Sequence, residues 1–215
     1  MHRIGIFGGT FDPVHLGHLR TALEIMEAGQ LGSLRFVPCA RPPHRTAPIA
    51  SPQQRVDMLE RAITGVEGFS VDPREIERPG HSYTVDTLAS LRAELGQVAL
   101  SLIIGMDAFE NFHLWHRWRE ILDRAHLIVA HRPGASRPGK SPQSDLLSER
   151  LVGEARQLGD RAAGAILLVP VTQLDISATV LRRLVSRGQS VRYLTTEPVR
   201  RYIRQNGLYG CLETQ

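Results

Sequence analysis

The chain reads as an α/β protein, a Rossmann-like doubly wound parallel sheet with helices on both faces. Two observations predict this. Short apolar runs end in glycine or turn residues, as at Arg3–Phe7, Ala99–Ile104 and Ala125–Ala130, and amphipathic segments of helical period lie between them. The runs are also nearly continuous in apolar character instead of alternating, as strands buried on both faces must be. With 215 residues and no internal repeat, one domain spanning 1–215 is expected.

Taken in order, Arg3–Phe7 is a buried strand, two glycines follow as a turn, and Leu16–Ala28 is a helix with apolar residues at Leu16, Leu19, Leu23 and Met26. Leu34–Val37 is a second strand. After the turn-rich CARPPHRTAPIASP, a helix is expected from about Pro52 to Thr64, with Ser51 as cap and Pro52 as first helical residue. Phe69–Asp72 is a weak strand and Tyr83–Leu95 has helical periodicity. Ala99–Ile104 and Ala125–Ala130 are strands flanking a helical segment around Trp115–Leu122. GASRPGKSPQS, residues 134–144, reads as an exposed loop. Ala165–Val169 is the last strand, and a C-terminal helical segment from about residue 177 comprises Ser177–Ser186 and Glu197–Gln205.

Composition narrows the function class. Hydrophobic residues make up 42% and charged residues 22%, ordinary for a globular protein and unlike a disordered one. No apolar run approaches the ~18 residues of a membrane span, and the chain starts on a strand with no leader pattern, so a cytoplasmic location without membrane contact is expected. Cys39 and Cys211 fit no metal or redox spacing. The net charge of +4 is scattered among carboxylates instead of forming a stripe, which argues against nucleic acid. Arginine supplies nearly all the positive charge, Lys140 being the single lysine. That suits a site that must hold phosphates with a bidentate fork.

GGTFDPVHLGH, from Gly8 to His18, carries the chemistry. Ligands of a parallel sheet bind outside the carboxyl ends of its strands, where this stretch lies. Gly8 and Gly9 have no side chain to keep a phosphate from backbone N–H groups, and the helix that follows adds its N-terminal donors. The stretch is neither GxGxxG nor a P-loop with its lysine. His15 and His18 share a helix face and are open to three roles: metal ligands, an acid and base, or donors to phosphate oxygens. Asp12 and Pro13 are expected as helix cap and first turn. Further along, ISATVLR offers Ser177 as a cap with Thr179 and Arg182 near a second helix start, where hydroxyl, backbone donors and guanidinium can converge on a triphosphate.

GGTFDPVHLGH resembles the HxGH signature of nucleotidyltransferases, and ISATVLR resembles their second signature. The HxGH form also occurs in class I aminoacyl-tRNA synthetases, whose tRNA-binding domains this length does not accommodate. PPHR at Pro42–Arg45, SYTVDTL at Ser82–Leu88, IIGMDAFENFHLWHRW at Ile103–Trp118, AHLIVAHRPG and EPVRRYIRQNGLYG are together similar to bacterial nicotinate-nucleotide adenylyltransferase. The resemblance implies transfer of AMP from ATP to nicotinate mononucleotide, giving deamido-NAD and pyrophosphate in NAD biosynthesis, with Mg2+ accompanying ATP.

It also implies the site residues. Gly8, Gly9, Thr10, Phe11, His15, His18, Gly105, Asp107, Arg132, Ile176, Ser177, Thr179 and Arg182 would bind ATP, with His15, His18 and Arg182 catalytic. His44, Arg45, Tyr83, Thr84, Asp107 and Trp115 would bind the acceptor, Trp115 stacking on its pyridine ring and His44 and Arg45 lying on a covering loop. One of Trp115 and Trp118 is expected in the core. No dedicated protein metal site is expected, and homo-oligomer assembly is left open. The nearest alternative is nucleotidyl transfer to another phosphorylated acceptor such as phosphopantetheine; it accounts for both signatures but not for SYTVDTL with the Trp115 segment.

Overall fold

The structure is a computed structural model that describes residues 2–41, 47–132 and 141–211. Six strands form one sheet: β1 (Arg3–Gly9), β2 (Ser33–Pro38), β3 (Phe69–Val71), β4 (Ala99–Gly105), β5 (His126–His131) and β6 (Ile166–Pro170). Their order is β3-β2-β1-β4-β5-β6, and every pairing is parallel. The chain winds outward first on one side of β1 and then on the other. β1 and β4 are therefore neighbours whose connections leave in opposite directions, which is the switch point where α/β sheets bind ligands.

The helices are α1 (Leu16–Ala28), α2 (Pro52–Ile63), α3 (Arg74–Glu77), α4 (Thr84–Leu95), α5 (Met106–Glu110), α6 (Trp118–Arg124), α7 (Pro142–Arg150), α8 (Ala178–Ser186) and α9 (Glu197–Gln205). They cover both sheet faces, because strand residues alternate between them. Phe36, Ile103, Ile128 and Leu167 face one core with α1, α2, α8 and α9, where Ile25, Leu59, Leu181 and Val199 are fully buried. Ile6, Leu102, Leu127 and Ile166 face a second core with α4, α5, α6 and α7. Full burial of one such side chain contributes ~1.5–3 kcal/mol, so two continuous cores account for a stable sheet with neither face wet.

The α/β expectation and all six strands hold, with local corrections. Gly8 and Gly9 are not a turn: they finish β1 and pair in register with Val37 and Pro38. The helix expected around Trp115–Leu122 begins only at Trp118, after a short 3-10 turn at Phe112–Leu114 and Arg117 in the left-handed region. Of the loop expected over 134–144, residues 134–140 lie outside the described residues, and α7 already starts at Pro142. Ser141 caps it, its hydroxyl accepting from Ser144 N–H at 3.3 Å. Ser-Pro opens α2 in the same manner, with Ser51 accepting from Gln54 N–H at 3.2 Å. The short α3 and α5 were not expected at all.

Candidate active site

The carboxyl ends of β1 and β4 frame a cavity of about 110 Å³ at the switch point. Gly8 and Gly9 line it from β1, Cys39 from just beyond β2, and Ser82, Thr84, Thr87 and Trp115 from the far side. The two glycines differ in what they leave room for. A methyl at Gly8 would meet nothing within 4 Å, so this strand end is open to a ligand. A methyl at Gly9 would lie 2.8 Å from the Phe11 ring, so its missing side chain serves Phe11. Phe11 is itself buried among Phe7, Phe36 and His18, with ring centroids 5.1–5.9 Å away.

The helix cap falls on a histidine and not on Asp12. His15 is the N-cap of α1, its backbone N–H donating to His18 Nδ1 at 3.3 Å. The two imidazoles stack, centroids 3.6 Å apart. Gly17 makes this arrangement possible: a methyl there would lie 3.1 Å from His15 Nδ1 and 3.6 Å from the Ile176 carbonyl oxygen. Burial pulls the His15 pKa down to about 4, and burial plus the neighbouring His15 holds His18 well below its ordinary value. Both rings are therefore neutral at pH 7. Because Nδ1 of His18 is an acceptor, its proton sits on Nε2, which is left as a donor. Nδ1 of His15 is buried with no hydrogen-bond partner among the described residues.

Asp12 is instead a buried junction, 3% exposed. Its carboxylate accepts from Ile49 N–H at 2.8 Å, Ala50 N–H at 3.1 Å and the Tyr209 hydroxyl at 2.7 Å. Its backbone carbonyl accepts from Arg182 Nη1 at 2.6 Å. Other groups pin the rest of the turn. Arg55, fully buried, donates to the Thr10 carbonyl at 2.8 Å; Thr195 donates to the Val14 carbonyl at 2.8 Å; and Leu16 N–H donates to the Leu194 carbonyl at 2.9 Å. A turn so held is organised before any ligand arrives. Sequence reasoning missed Arg55, Thr195 and Tyr209. A signal existed for Arg55, which shares the apolar stripe of Met58 and Leu59 at helical spacing.

ISATVLR closes on this turn from α8. Ser177 caps the helix, its hydroxyl accepting from Val180 N–H at 3.2 Å, and the Ile176 carbonyl approaches Gly17. Thr179 accepts from Arg182 Nη2 at 3.3 Å, and the Arg182 guanidinium lies 3.8 Å from the Asp12 carboxylate. Gly105 ends β4 and caps α5, with the Asp107 carboxylate folded over it and exposed. Arg132, past the end of β5, donates to Gln173 at 2.7 Å.

On the opposite side, Thr84 and Trp115 line the cavity, whereas the Tyr83 ring lies against His116 at 4.3 Å and is not among the lining residues. Trp118 stays out of the cavity, but both tryptophans are half-buried and pack on Phe112, Trp115 at 5.6 Å and Trp118 at 5.8 Å, so neither is a fully buried core residue as expected. His44 and Arg45 lie outside the described residues. Glu75, unforeseen from sequence, also lines the cavity. It accepts from the Thr87 hydroxyl at 2.6 Å, and burial pushes its carboxyl pKa up. Arg74 orients this wall by forking onto Asp72 at 2.7 and 2.8 Å and reaching Glu94 on α4 at 2.6 Å.

Known proteins share this architecture and sequence. A family model described as cytidylyltransferase-like matches residues 6–184. A protein of Halorhodospira halophila described as "Probable nicotinate-nucleotide adenylyltransferase" is 47% identical over 98% of this chain and 96% of its own length. One of Pseudomonas aeruginosa under the same description is 48% identical over 96% of this chain and 97% of its own. Among solved structures, Plasmodium falciparum nicotinic acid mononucleotide adenylyltransferase complexed with NaAD superimposes with a TM-score of 0.74 at 14% identity, covering 100% of both chains. That last likeness is one of fold. The sequence identity, running nearly end to end, places the chain in the nicotinate-nucleotide adenylyltransferase family, within the cytidylyltransferase-like group.

Proposed function

We propose that the chain transfers AMP from ATP to nicotinate mononucleotide, forming deamido-NAD and pyrophosphate. The observation that carries this reading is one cavity lined by Gly8 and Gly9 on the nucleotidyl side and by Thr84 and Trp115 on the acceptor side, in a chain of this family. ATP lies along Gly8, Gly9, Thr10 and Phe11, bordered by Gly105, Asp107 and Arg132, with Ile176, Ser177, Thr179 and Arg182 closing on its phosphates. Nicotinate mononucleotide enters against Thr84 and Trp115, with the Tyr83 backbone next to Thr84 and Asp107 between the two nucleotides; His44 and Arg45 are assigned to the same substrate.

A phosphate oxygen of the acceptor attacks the α-phosphorus of ATP in line, forming a new P–O bond as the bond to the β-phosphate breaks and pyrophosphate leaves with the electron pair. The attacking phosphate is largely a dianion near pH 7, since a phosphomonoester's second pKa is about 6, so no side chain need take a proton. The protein's work is to align two anions and stabilise charge on the leaving group. The neutral His18 suits this with its free Nε2–H, and His15 lies stacked against it. Arg182, bound to the Asp12 carbonyl of the same turn, adds a fixed positive charge.

Mg2+ is part of the proposed substrate, arriving with ATP and offsetting phosphate charge. The carboxylates of Asp12 and Glu75 accept from protein donors, so exposed Asp107 would be the site carboxylate to meet such an ion or its waters. The reading also carries a cytoplasmic location. Among the described residues no helix is long and apolar enough to cross a membrane. Mixing the protein with ATP, Mg2+ and nicotinate mononucleotide tests the reaction. Deamido-NAD and pyrophosphate in equal amounts are expected; pyrophosphate without the dinucleotide would mean hydrolysis and overturn the reading.

A further inference from the structure

The last described turn, Leu208–Gly210, has three residues at left-handed φ in its immediate run: Gly207 at 57°, Tyr209 at 59° and Gly210 at 73°. Glycine adopts such values freely, but tyrosine does so under strain that the surroundings must offset. Two contacts do this. The Tyr209 ring is 7% exposed and packed into the core with Val199, Ile203 and Leu208, and its hydroxyl donates to Asp12 Oδ1 at 2.7 Å. Asp12 follows Phe11, also non-glycine in the left-handed region at φ 50°. Strained backbone thus stands on both sides of a single buried carboxylate.

That carboxylate has a competing partner. Arg182 Nη1 lies 3.8 Å from Asp12 Oδ2, a loose pair, while the same nitrogen is bound at 2.6 Å to the Asp12 backbone carbonyl. Oδ2 is further held by Ile49 N–H at 2.8 Å, and Oδ1 by Tyr209 and, at 3.1 Å, by Ala50 N–H. Without the tyrosine hydroxyl, Oδ1 keeps only the longer bond, and the carboxylate, still held at Oδ2 by Ile49, can tilt toward the guanidinium 3.8 Å away. A closed Asp12–Arg182 pair would then compete with a triphosphate for the same cation. Burial and the facing Asp12 push the phenol pKa far up, so the donor is in place at every working pH.

We infer that Tyr209 is a positioning residue of the transfer reaction: its hydroxyl holds the Asp12 carboxylate off Arg182 and so keeps that guanidinium available to the triphosphate. The inference rests on the assignment of Arg182 to ATP. Tyr202 supplies a matched control, since its hydroxyl donates to Asp57 at 2.7 Å between α9 and α2, in a contact that leaves Asp12 untouched.

The experiment compares Tyr209→Phe and Tyr202→Phe in steady-state kinetics and thermal melts, alone and with Arg182→Lys. Tyr209→Phe is expected to raise the KM for ATP about 10-fold, the size typical of removing a partner behind a binding residue, with the KM for nicotinate mononucleotide unchanged. Tyr202→Phe is expected to lower Tm comparably and leave both KM values alone. With lysine at 182, the further effect of Tyr209→Phe should shrink below about 2-fold, because residues acting through one group are not additive. Equal kinetic behaviour of the two phenylalanine variants, or full additivity with Arg182→Lys, would overturn the inference. ATP affinity read by ligand-induced thermal shift, with no acceptor present, poses the same question even if the acceptor assignment fails. If Tyr209→Phe does not fold, Asp12→Asn replaces it: a neutral side chain cannot pair with Arg182, so ATP affinity no weaker than wild type is the expected result, and a loss of about 10-fold would overturn the inference.

Discussion

Gly17→Ala separates catalytic geometry from stability. The new methyl would stand 3.1 Å from His15 Nδ1, 3.2 Å from its Cε1 and 3.6 Å from the Ile176 carbonyl oxygen. Ordinary contact lies at about 3.5–4.0 Å, so the ring must give by about 0.4 Å. His15 is 6% exposed and stacked on His18 at 3.6 Å, and His18 in turn sits 5.1 Å from Phe11, so the displacement passes along the stack. If a misplacement of about 1 Å costs about 10²-fold, one of about 0.4 Å costs roughly 6-fold in kcat. The helix itself does not object: alanine is favoured over glycine by up to about 1 kcal/mol in a helix interior and by less near its start. A Tm unchanged or slightly raised, with kcat for pyrophosphate release down about 5–10-fold, is the expected pair of results. Wild-type kcat, or a kcat loss accompanied by a matching fall in Tm, would refute the reasoning.

Three further outcomes follow from the same geometry. His18→Ala should lower kcat by about 10²-fold or more while far-UV circular dichroism stays native, as loss of a transition-state donor does. Acidification should destabilise the protein before its carboxylates titrate: folded His15 titrates near 4 and the unfolded residue near 6.5, so its contribution is complete above pH 6.5 and lost as pH falls toward 4. At pH 5 the loss from His15 alone is about 2 kcal/mol, and His15→Asn should flatten the dependence of Tm on pH between 7 and 5. Trp115→Ala should raise the KM for nicotinate mononucleotide about 10-fold by removing a stacking surface, with the KM for ATP within about 2-fold of wild type; the opposite pattern would move Trp115 to the ATP side.

The parallel sheet was legible because its strands are short, apolar and closed by glycine or turn residues, as β4 is by Gly105. Helices shorter than two turns, such as α3 and α5, present too little periodicity to read. α7 was legible in principle, since Ser141-Pro142 repeats the opening of α2, but the glycine and proline residues before it drew the loop boundary too far. At the site, Gly8, His15, His18, Thr179 and Arg182 lie within two short motifs and could be read locally. What holds them could not. Asp12 resembled a cap by position, yet its partners are 37, 38 and 197 residues away in Ile49, Ala50 and Tyr209. The glycine of HxGH was visible as a letter, but its reason, the approach of His15 and the Ile176 carbonyl, exists only in three dimensions.

The most direct test of the central claim is acceptor selection, measured as kcat/KM for pyrophosphate release with ATP and Mg2+ and with nicotinate mononucleotide, nicotinamide mononucleotide or phosphopantetheine as acceptor. The account predicts the highest value for nicotinate mononucleotide, with the dinucleotide recovered as product. Turnover with phosphopantetheine alone would keep the phosphate-binding turn and contradict the assignment of Thr84 and Trp115, while no turnover with any of the three would contradict the account as a whole.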